Sequence, residues 1–164
     1  MLQRTKNPSK PVSSLMDTFF LGRASGHGLF EDRLAQVKRR FEIRFDGFYE
    51  SNDVFMLNEE IDYDDGAKEE RAWRIRMTPD ETQASNRVSI ECDDLVGLAT
   101  GTVSATEMRL NYLYRLKLQG NRVVKVRMLD RMYLQADGSV INRATMRKFG
   151  IYLGDLVVVL NKNT

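Results

Sequence analysis

Apolar and polar residues alternate over much of the chain beyond Gly22, with the two-residue period of a strand that buries one face. Each alternating run predicts one β-strand, and a last strand is expected from Tyr152 to Leu160. The apolar members of the other runs are Phe41, Ile43 and Phe45; Phe55, Leu57, Ile61 and Tyr63; Trp73, Ile75 and Met77; Val88, Ile90 and Cys92; Leu110, Tyr112, Tyr114, Leu116 and Leu118; and Val124, Val126, Met128, Met132 and Leu134. No long amphipathic helix interrupts the series, so the pattern predicts a mostly β fold.

Turn-forming residues separate the predicted strands at short intervals. The turn signals are Asp65-Gly66, Thr78-Pro79-Asp80, Gly120-Asn121 and Asp137-Gly138. Strands joined in this way form an antiparallel meander, and about nine or ten of them would close into an up-and-down barrel that has no exposed edges. A closed antiparallel barrel is therefore the predicted fold, and a two-sheet sandwich is the alternative.

The chain of 164 residues is long enough for one domain with its own core, because 42% of its residues are hydrophobic. Residues 1–14 contain Pro8 and Pro11 together with Lys and Ser residues, and are expected to form a flexible arm. Residues 15–21 are expected to form one or two helical turns that plug the fold. Residues 15–164 are thus predicted to be a single barrel domain.

Neither a membrane span nor a signal peptide is visible in the sequence. No stretch approaches the roughly 20 apolar residues of a membrane-spanning helix, and the polar opening lacks the apolar centre of a signal peptide. On this basis we expect a cytoplasmic protein. Cys92 is the single cysteine, so the chain forms no internal disulfide, and the cysteine content does not determine whether the protein's compartment is oxidising or reducing.

Charged residues are unevenly distributed, although the formal net charge is only +2. Residues 46–94 include 15 acidic and 5 basic side chains, whereas residues 109–148 include 10 basic and 2 acidic ones. The small net charge argues against a dedicated nucleic-acid binder. The favoured interpretation is that the two segments neighbour each other in the fold and compensate; the alternative is a basic surface for an anionic partner. The charge distribution therefore determines neither membrane contact nor the oligomeric state.

Three charged residues share the phase of the apolar residues and are predicted to face the barrel interior: Glu59, Arg71 and Asp130. A three-residue turn at 64–66 would set Glu59 directly opposite Arg71. Buried charges require partners or access to water. The favoured interpretation is a structural network of ion pairs and hydrogen bonds that closes one end of the barrel. The second interpretation is a polar anchor in a ligand cavity, and the third is a set of general acid or base groups.

The lumen predicted by this phasing is rich in aromatic, Met and Leu side chains. The leading hypothesis is non-catalytic binding of a small hydrophobic or amphipathic ligand, mainly apolar with one polar end. The ligand-binding candidates are Glu59, Arg71, Trp73, Tyr112, Tyr114 and Asp130. The alternatives are an enzyme that uses an inward carboxylate on an amphipathic substrate, and a structural or partner-binding module with a filled core. No cofactor is expected.

Other motifs favour structural explanations. His27 and Cys92 would have to meet in space to form a dyad, and Cys92 is typical of a small apolar strand residue. The acidic run before Gly66 lacks the spacing of a calcium loop and is better explained as a hairpin turn. The glycines at 22, 26 and 28 are followed by no Gly-Lys-Ser/Thr sequence, so close backbone packing is favoured over phosphate binding. No catalytic or metal-binding residue is assigned.

A series of short motifs runs through most of the chain in a specific order. The motifs are Gly22-Arg23-Ala24-Ser25-Gly26-His27-Gly28-Leu29-Phe30-Glu31-Asp32-Arg33; Tyr63-Asp64-Asp65-Gly66 followed by Glu69, Arg71 and Trp73; Asp93-Asp94-Leu95-Val96-Gly97 followed by Ala99 and Gly101; and Asn142-Arg143-Ala144 followed by Met146, Lys148, Phe149 and Gly150. From about Phe19 to Leu160 the chain resembles an uncharacterised bacterial family catalogued as domain of unknown function 3833.

The resemblance implies a calycin or lipocalin-like barrel and, in many members, a lipoprotein signal that would associate the protein with the cell envelope. This sequence has no lipobox cysteine, so membrane anchoring does not carry over to the chain as given. It also lacks the N-terminal Gly-x-Trp signature of true lipocalins, so a lipocalin transport role does not carry over either. The resemblance supplies no activity and no catalytic residues.

Overall fold

The protein is described by a computed structural model over residues 10–80 and 82–163. Its strands pair antiparallel with their neighbours in the sequence, and the first strand also pairs with the last, which closes the sheet into a barrel. The ten strands are β1 (Gly22–Asp32), β2 (Val37–Tyr49), β3 (Val54–Tyr63), β4 (Lys68–Asp80), β5 (Ser85–Glu91), β6 (Leu95–Ser104), β7 (Glu107–Lys117), β8 (Val123–Leu134), β9 (Val140–Lys148) and β10 (Ile151–Lys162). The predicted up-and-down barrel is confirmed.

Alternation along the strands determines which side chains fill the barrel. In β2, for example, Phe41, Ile43 and Phe45 are buried inside, whereas Glu42 and Arg44 are exposed on the outer wall. Burial of one face of each strand removes apolar surface from water and also fixes the strand register, since a shift by one residue would turn the charged face inward. The inner faces of the strands therefore form one continuous core.

Glycines in β1 and β6 let neighbouring strands approach closely. A Cβ atom on Gly26 would overlap the backbone carbonyl of Val159, and one on Gly101 would overlap that of Arg109. These contacts support the packing explanation of the glycine-rich opening, because glycine permits sharp coiling where a side chain would collide.

One end of the barrel is closed by the helical turn Met16–Phe20, here called the plug, and the helical turn expected before Gly22 is thereby confirmed. Phe19 and Phe20 are at most 1% exposed, and the Phe20 ring packs edge-on against Phe45 with ring centroids 5.6 Å apart. The plug seals the end at which β2 leads into β3. The opposite end, here called the mouth, is formed by the hairpin loops that join β1 to β2, β3 to β4, β5 to β6, β7 to β8 and β9 to β10.

The flexible arm expected over residues 1–14 stays a prediction, since residues 1–9 lie outside the described part of the chain. Within the described part, the Val12 backbone N–H donates to Asn86 Oδ1 at 2.8 Å, and the Asn86 amide donates back to the Val12 carbonyl at 2.7 Å. Ser14 is fully buried. The residues that lead into the plug are therefore attached to β5.

The acidic and basic segments lie on different walls, so the expectation that they neighbour each other and compensate is wrong. The acidic segment runs from the end of β2 to the β5–β6 loop, and the basic segment runs from β7 to β9. Around the closed barrel these walls are separated by β6 on one side and by β1 and β10 on the other. Among the described residues, Lys117–Asp94, at 3.5 Å, is the ion pair that joins them.

Candidate functional site

The β3–β4 hairpin places Glu59 and Arg71 at directly opposed positions, in the register that the alternation predicts. Tyr63 donates its backbone N–H to the Ala67 carbonyl, which leaves the three residues 64–66 in the loop. Gly66 has a φ of +86°, a conformation that glycine adopts without the steric cost of a side chain. The loop therefore fixes the register that brings the two inward charges together.

Arg71 is the centre of an ion-pair network inside the barrel. Its Nη1 lies 3.6 Å from Glu59 Oε1, and its Nε lies 3.3 Å from Asp94 Oδ2. Glu69, on the same face of β4, pairs with Nη2. The side chains of Arg71 and Glu59 are only 10% and 8% exposed. Burial disfavours the charged guanidinium, but the charges of Glu59 and Glu69 outweigh it and raise the pKa of Arg71 above its usual range.

Glu59 has two partners within the barrel. Trp73 donates its Nε1–H to Glu59 Oε2 at 2.8 Å, while Arg71 faces the other carboxylate oxygen. Burial raises the pKa of the Glu59 carboxyl, although Arg71 and Trp73 act in the opposite direction. Glu59 therefore has a higher proton affinity than a glutamate on the surface.

Asp130 projects inward from β8 and is held by neutral donors. The Tyr112 hydroxyl donates to Asp130 Oδ2 at 3.1 Å, and the Asn142 amide donates to Oδ1. Burial raises the pKa of Asp130 despite these hydrogen bonds, and burial next to the Asp130 charge raises the pKa of Tyr112. Among the described residues, no Lys or Arg forms an ion pair with Asp130.

Aromatic side chains connect the two halves of this polar cluster across the lumen. The rings of Trp73 on β4 and Tyr112 on β7 meet edge to face, with centroids 5.9 Å apart. The Arg71 guanidinium lies 5.4 Å from the ring centroid of Tyr114, and burial raises the pKa of that tyrosine. The structure thus brings all six predicted ligand-binding residues into one interior region; whether they bind a ligand stays a prediction.

Three further residues of the cluster were not among the candidates. Glu69 and Asn142 lie in phase with inward-facing neighbours on β4 and β9, so the alternation alone could have identified them. Asp94 lies in the β5–β6 loop, to which strand alternation does not apply, and its contact with Arg71 requires the closed barrel. These residues add two carboxylates and one amide to the predicted site.

The interior of the barrel is largely apolar and rich in methionine. Six of the eight methionines are buried in the core: Met16, Met77, Met108, Met128, Met132 and Met146. Nearer the mouth the inner wall is only half-buried, and its side chains there include Phe30, Tyr63, Cys92, Tyr114, Leu116 and Val124. Unbranched, polarizable methionines adapt to irregular shapes, so this lining can repack more easily than one of branched residues.

The residues considered for catalytic or metal chemistry do not come together. His27 is exposed on the outer wall, opposite Glu42 and Val159 in the neighbouring strands, whereas Cys92 packs against the interior core. Burial raises the pKa of the Cys92 thiol, which disfavours the nucleophilic thiolate. Within residues 10–80 and 82–163, no group of His, Cys, Asp and Glu side chains is arranged to hold a metal ion.

A groove of about 570 Å³ lies across β10, β1, β2 and β3. Most of its lining belongs to the outer wall: His27, Leu29, Arg40, Glu42, Asp62, Val157 and Val159. It includes none of the six predicted ligand-binding residues. The groove therefore lies mainly on the outer wall and approaches the interior cluster at Tyr63, whose hydroxyl donates to Glu69 Oε2 at 3.1 Å.

The fold and its interior define a closed ten-stranded antiparallel β-barrel protein with a polar cluster in its lumen. The chain belongs to the family described as "Protein of unknown function (DUF3833)", whose model matches residues 3–162. A comparison with curated proteins gives no significant match. No helix in the described part of the chain is long and apolar enough to cross a membrane.

Proposed function

We propose that the barrel binds a small, mainly apolar ligand whose polar end lies against Glu59, Arg71 and Asp130. The observation that carries this proposal is the environment of Asp130, a half-buried, inward-facing carboxyl whose side-chain hydrogen-bond donors, Tyr112 and Asn142, are both neutral. Two carboxylate oxygens offer about four acceptor sites, so a donor on the ligand can add to this set. A donor there offsets part of the cost of burying the carboxylate.

The apolar part of the ligand lies toward the mouth, along the half-buried inner wall. The plug end is filled by side chains that are essentially inaccessible, among them Phe19, Phe20 and Phe55. At the mouth, Tyr63, Leu116 and other inner-wall residues retain exposed surface, so a ligand that covers them removes apolar area from water. This asymmetry supports entry from the mouth with the polar end leading.

Trp73 and Tyr112 support this arrangement because their polar atoms are already engaged. Trp73 is held by Glu59, and Tyr112 by Asp130, so both rings present fixed apolar faces to the lumen. Rigid aromatic walls with a few convergent polar groups are typical of small-molecule sites. Less ordering of side chains is then required when the ligand binds.

Trp73 is the single tryptophan of the chain and provides a direct test. N-phenyl-1-naphthylamine, an apolar fluorophore with one N–H donor, is titrated into the protein while energy transfer from Trp73 to the probe is followed. We expect saturable transfer, and we expect Asp130→Asn to weaken probe binding by about two- to tenfold, the range for loss of one hydrogen bond.

The matched control for interior carboxyls is Glu60→Gln, because Glu60 follows Glu59 on β3 but is exposed on the outer wall. Glu59→Gln is expected to weaken binding of the probe, whereas Glu60→Gln leaves it unchanged. An equal effect of both variants, or no energy transfer at saturating probe, would contradict the proposal and favour a filled core. Native mass spectrometry of the protein purified from its host should also show a bound small molecule.

A further inference from the structure

The five hairpin loops around the mouth divide into two groups of opposite charge. Around the closed barrel, the β9–β10 loop lies between the β7–β8 and β1–β2 loops, and the β3–β4 and β5–β6 loops form the rest of the rim. The first three, with flanking residues 33–38, 117–125 and 147–151, carry seven basic and no acidic side chains. The other two, at 64–67 and 91–94, carry five acidic and no basic ones. The three basic segments are here called the basic lip.

Most of the cations in the basic lip have no carboxylate partner in the described part of the chain, although Arg147 donates to the Gly150 carbonyl and Lys148 to the Lys125 carbonyl. Lys38 pairs with Asp32 at 3.5 Å, and Lys117 pairs with Asp94 at 3.5 Å. The other five form no ion pair with any described residue: Arg33, Arg122, Lys125, Arg147 and Lys148. Their charge is therefore available to an anionic partner.

The basic lip also exposes large apolar side chains on all three hairpins. Their exposed fractions are 69% for Leu34 and 36% for Val37, 42% for Leu118 and 56% for Val123, and 91% for Phe149 and 59% for Ile151. Single exposed apolar residues are ordinary, but a row of them on consecutive loops, each flanked by cations, is typical of an interaction surface.

Phe149 is the strongest of these features because its backbone conformation also requires explanation. Phe149 and Gly150 form the two-residue β9–β10 turn, with φ values of +50° and +76°. Turns with positive φ at both central residues favour Asn-Gly or Asp-Gly, and a bulky side chain there is a genuine outlier. The ring is 91% exposed, and its recorded contact is with the Lys148 ammonium, 4.7 Å from the ring centroid. A solvent-exposed cation–π contact is weak, so local stability alone does not account for phenylalanine at this position.

We propose that the basic lip docks on the surface of an anionic lipid bilayer, with the tips at Phe149, Leu34 and Leu118 inserted between the headgroups. The five cations that lack a carboxylate partner then lie at the level of the lipid phosphates. A combination of inserted apolar side chains and basic residues is the physical pattern of interfacial membrane binding. This inference goes beyond the proposed function and does not depend on it, although docking would place the mouth against the bilayer.

Sedimentation with lipid vesicles tests the proposal on the intact chain. The protein is incubated with vesicles of phosphatidylcholine, or of phosphatidylcholine with about 30% phosphatidylglycerol, which carries the negative surface charge. We expect binding to the anionic vesicles only, with release as NaCl rises from about 0.05 M to about 0.5 M.

Phe149→Asn separates the role of the ring from the stability of the turn. Asparagine favours positive φ, so this variant should fold at least as stably as the parent chain while its vesicle affinity falls about five- to tenfold. Its control is Phe48→Thr, which removes a phenyl ring that is 46% exposed on the outer wall near the plug. Phe48→Thr is expected to leave the vesicle affinity unchanged.

Arg122→Glu/Lys125→Glu tests the charge and is expected to lower the affinity by more than about tenfold, since each cation near an anionic membrane contributes appreciably. The control, Arg23→Glu/Arg87→Glu, makes the same change in net charge at exposed positions toward the plug end. Equal losses in the two double variants would overturn the assignment of the basic lip. So would equal binding to neutral vesicles, or no binding to anionic vesicles at low salt. Self-association or oligonucleotide binding that is lost in Phe149→Asn without any vesicle binding would instead assign the surface to another partner.

Discussion

Replacing Arg71 by methionine should destabilise the barrel strongly, because Arg71 is the cation around which Glu59, Glu69 and Asp94 are arranged. Methionine preserves much of the aliphatic volume of arginine and removes the charge. Glu59 and Glu69 then lie close together inside the mouth without a counter-ion, and Asp94 retains only the more exposed Lys117. Like charges at such distances disfavour ionisation of the carboxyls, and this lowers the free energy of unfolding.

The expected loss is about 3–5 kcal/mol, the range for removing one member of a buried ion pair, compared with about 0–1 kcal/mol for an exposed pair. Only 10% of the Arg71 side chain is exposed, so the range for buried pairs applies more closely than the range for exposed ones. Glu59→Ala should cost less, about 1–3 kcal/mol, since Arg71 then retains Glu69 and Asp94, and the main loss is the acceptor of the Trp73 N–H.

Urea unfolding followed by Trp73 fluorescence measures these losses. With a urea m-value of about 2 kcal/mol/M, a loss of about 4 kcal/mol moves the midpoint down by about 2 M. The Glu59→Gln/Arg71→Met double variant should recover part of the loss, because it removes one of the uncompensated carboxyls, and the difference from additivity measures the coupling.

The pH dependence gives an independent check. Burial already raises the pKa of Glu59, and Arg71 opposes that rise, so the pKa rises further in Arg71→Met. When a carboxyl has a raised pKa in the folded state, the free energy of unfolding falls as the pH rises from the unfolded-state pKa through that raised value. Arg71→Met should therefore cost less at about pH 5 than at about pH 8. A loss below about 1 kcal/mol, or the same loss at both pH values, would refute the buried network.

Three further variants test other parts of the barrel. Gly47→Ala places a Cβ against the Phe20 carbonyl and should cost about 1–3 kcal/mol in urea unfolding; an unchanged midpoint would show that the plug is not seated there. Tyr112→Phe removes a hydrogen bond from Asp130, and the carboxyl pKa followed by NMR should rise further; an unchanged pKa would show that the hydroxyl lies elsewhere. Asp155 has a lowered pKa because its hydrogen bonds outweigh the effect of burial, so the stability it contributes should be lost as the pH falls through that pKa. Asp155→Asn should therefore reduce the fall in the free energy of unfolding at acidic pH.

Alternation was sufficient to predict the fold and the inner charges because the barrel has one buried face per strand. The opposition of Glu59 and Arg71 follows from a local three-residue turn, so it could be inferred without knowing the rest of the barrel. Asp130 was found by phase alone, between two methionines. These predictions use only short-range geometry.

Features that depend on closure or on loops could not be derived in the same way. Asp94 reaches Arg71 from a loop, and Tyr112 reaches Trp73 across the lumen from a strand that is not its neighbour. The separation of the acidic and basic walls was also missed, because it follows from the circular strand order. The two segments were expected to neighbour each other in the fold and to compensate each other's charge, but the circular strand order places them on different walls.

The pairing of β1 with β10 has a consequence for how the chain is made. Ala24 lies beside Lys162, so the last seam of the barrel joins residues from nearly opposite ends of the chain. Contacts of such long sequence separation make folding slow, and synthesis proceeds at about 5–20 residues per second from the N-terminus. Until β10 leaves the ribosome, β1 has one unpaired edge. We therefore expect nascent chains that stop before β10 to depend on chaperones, and the completed chain to acquire its protease resistance in a single late step.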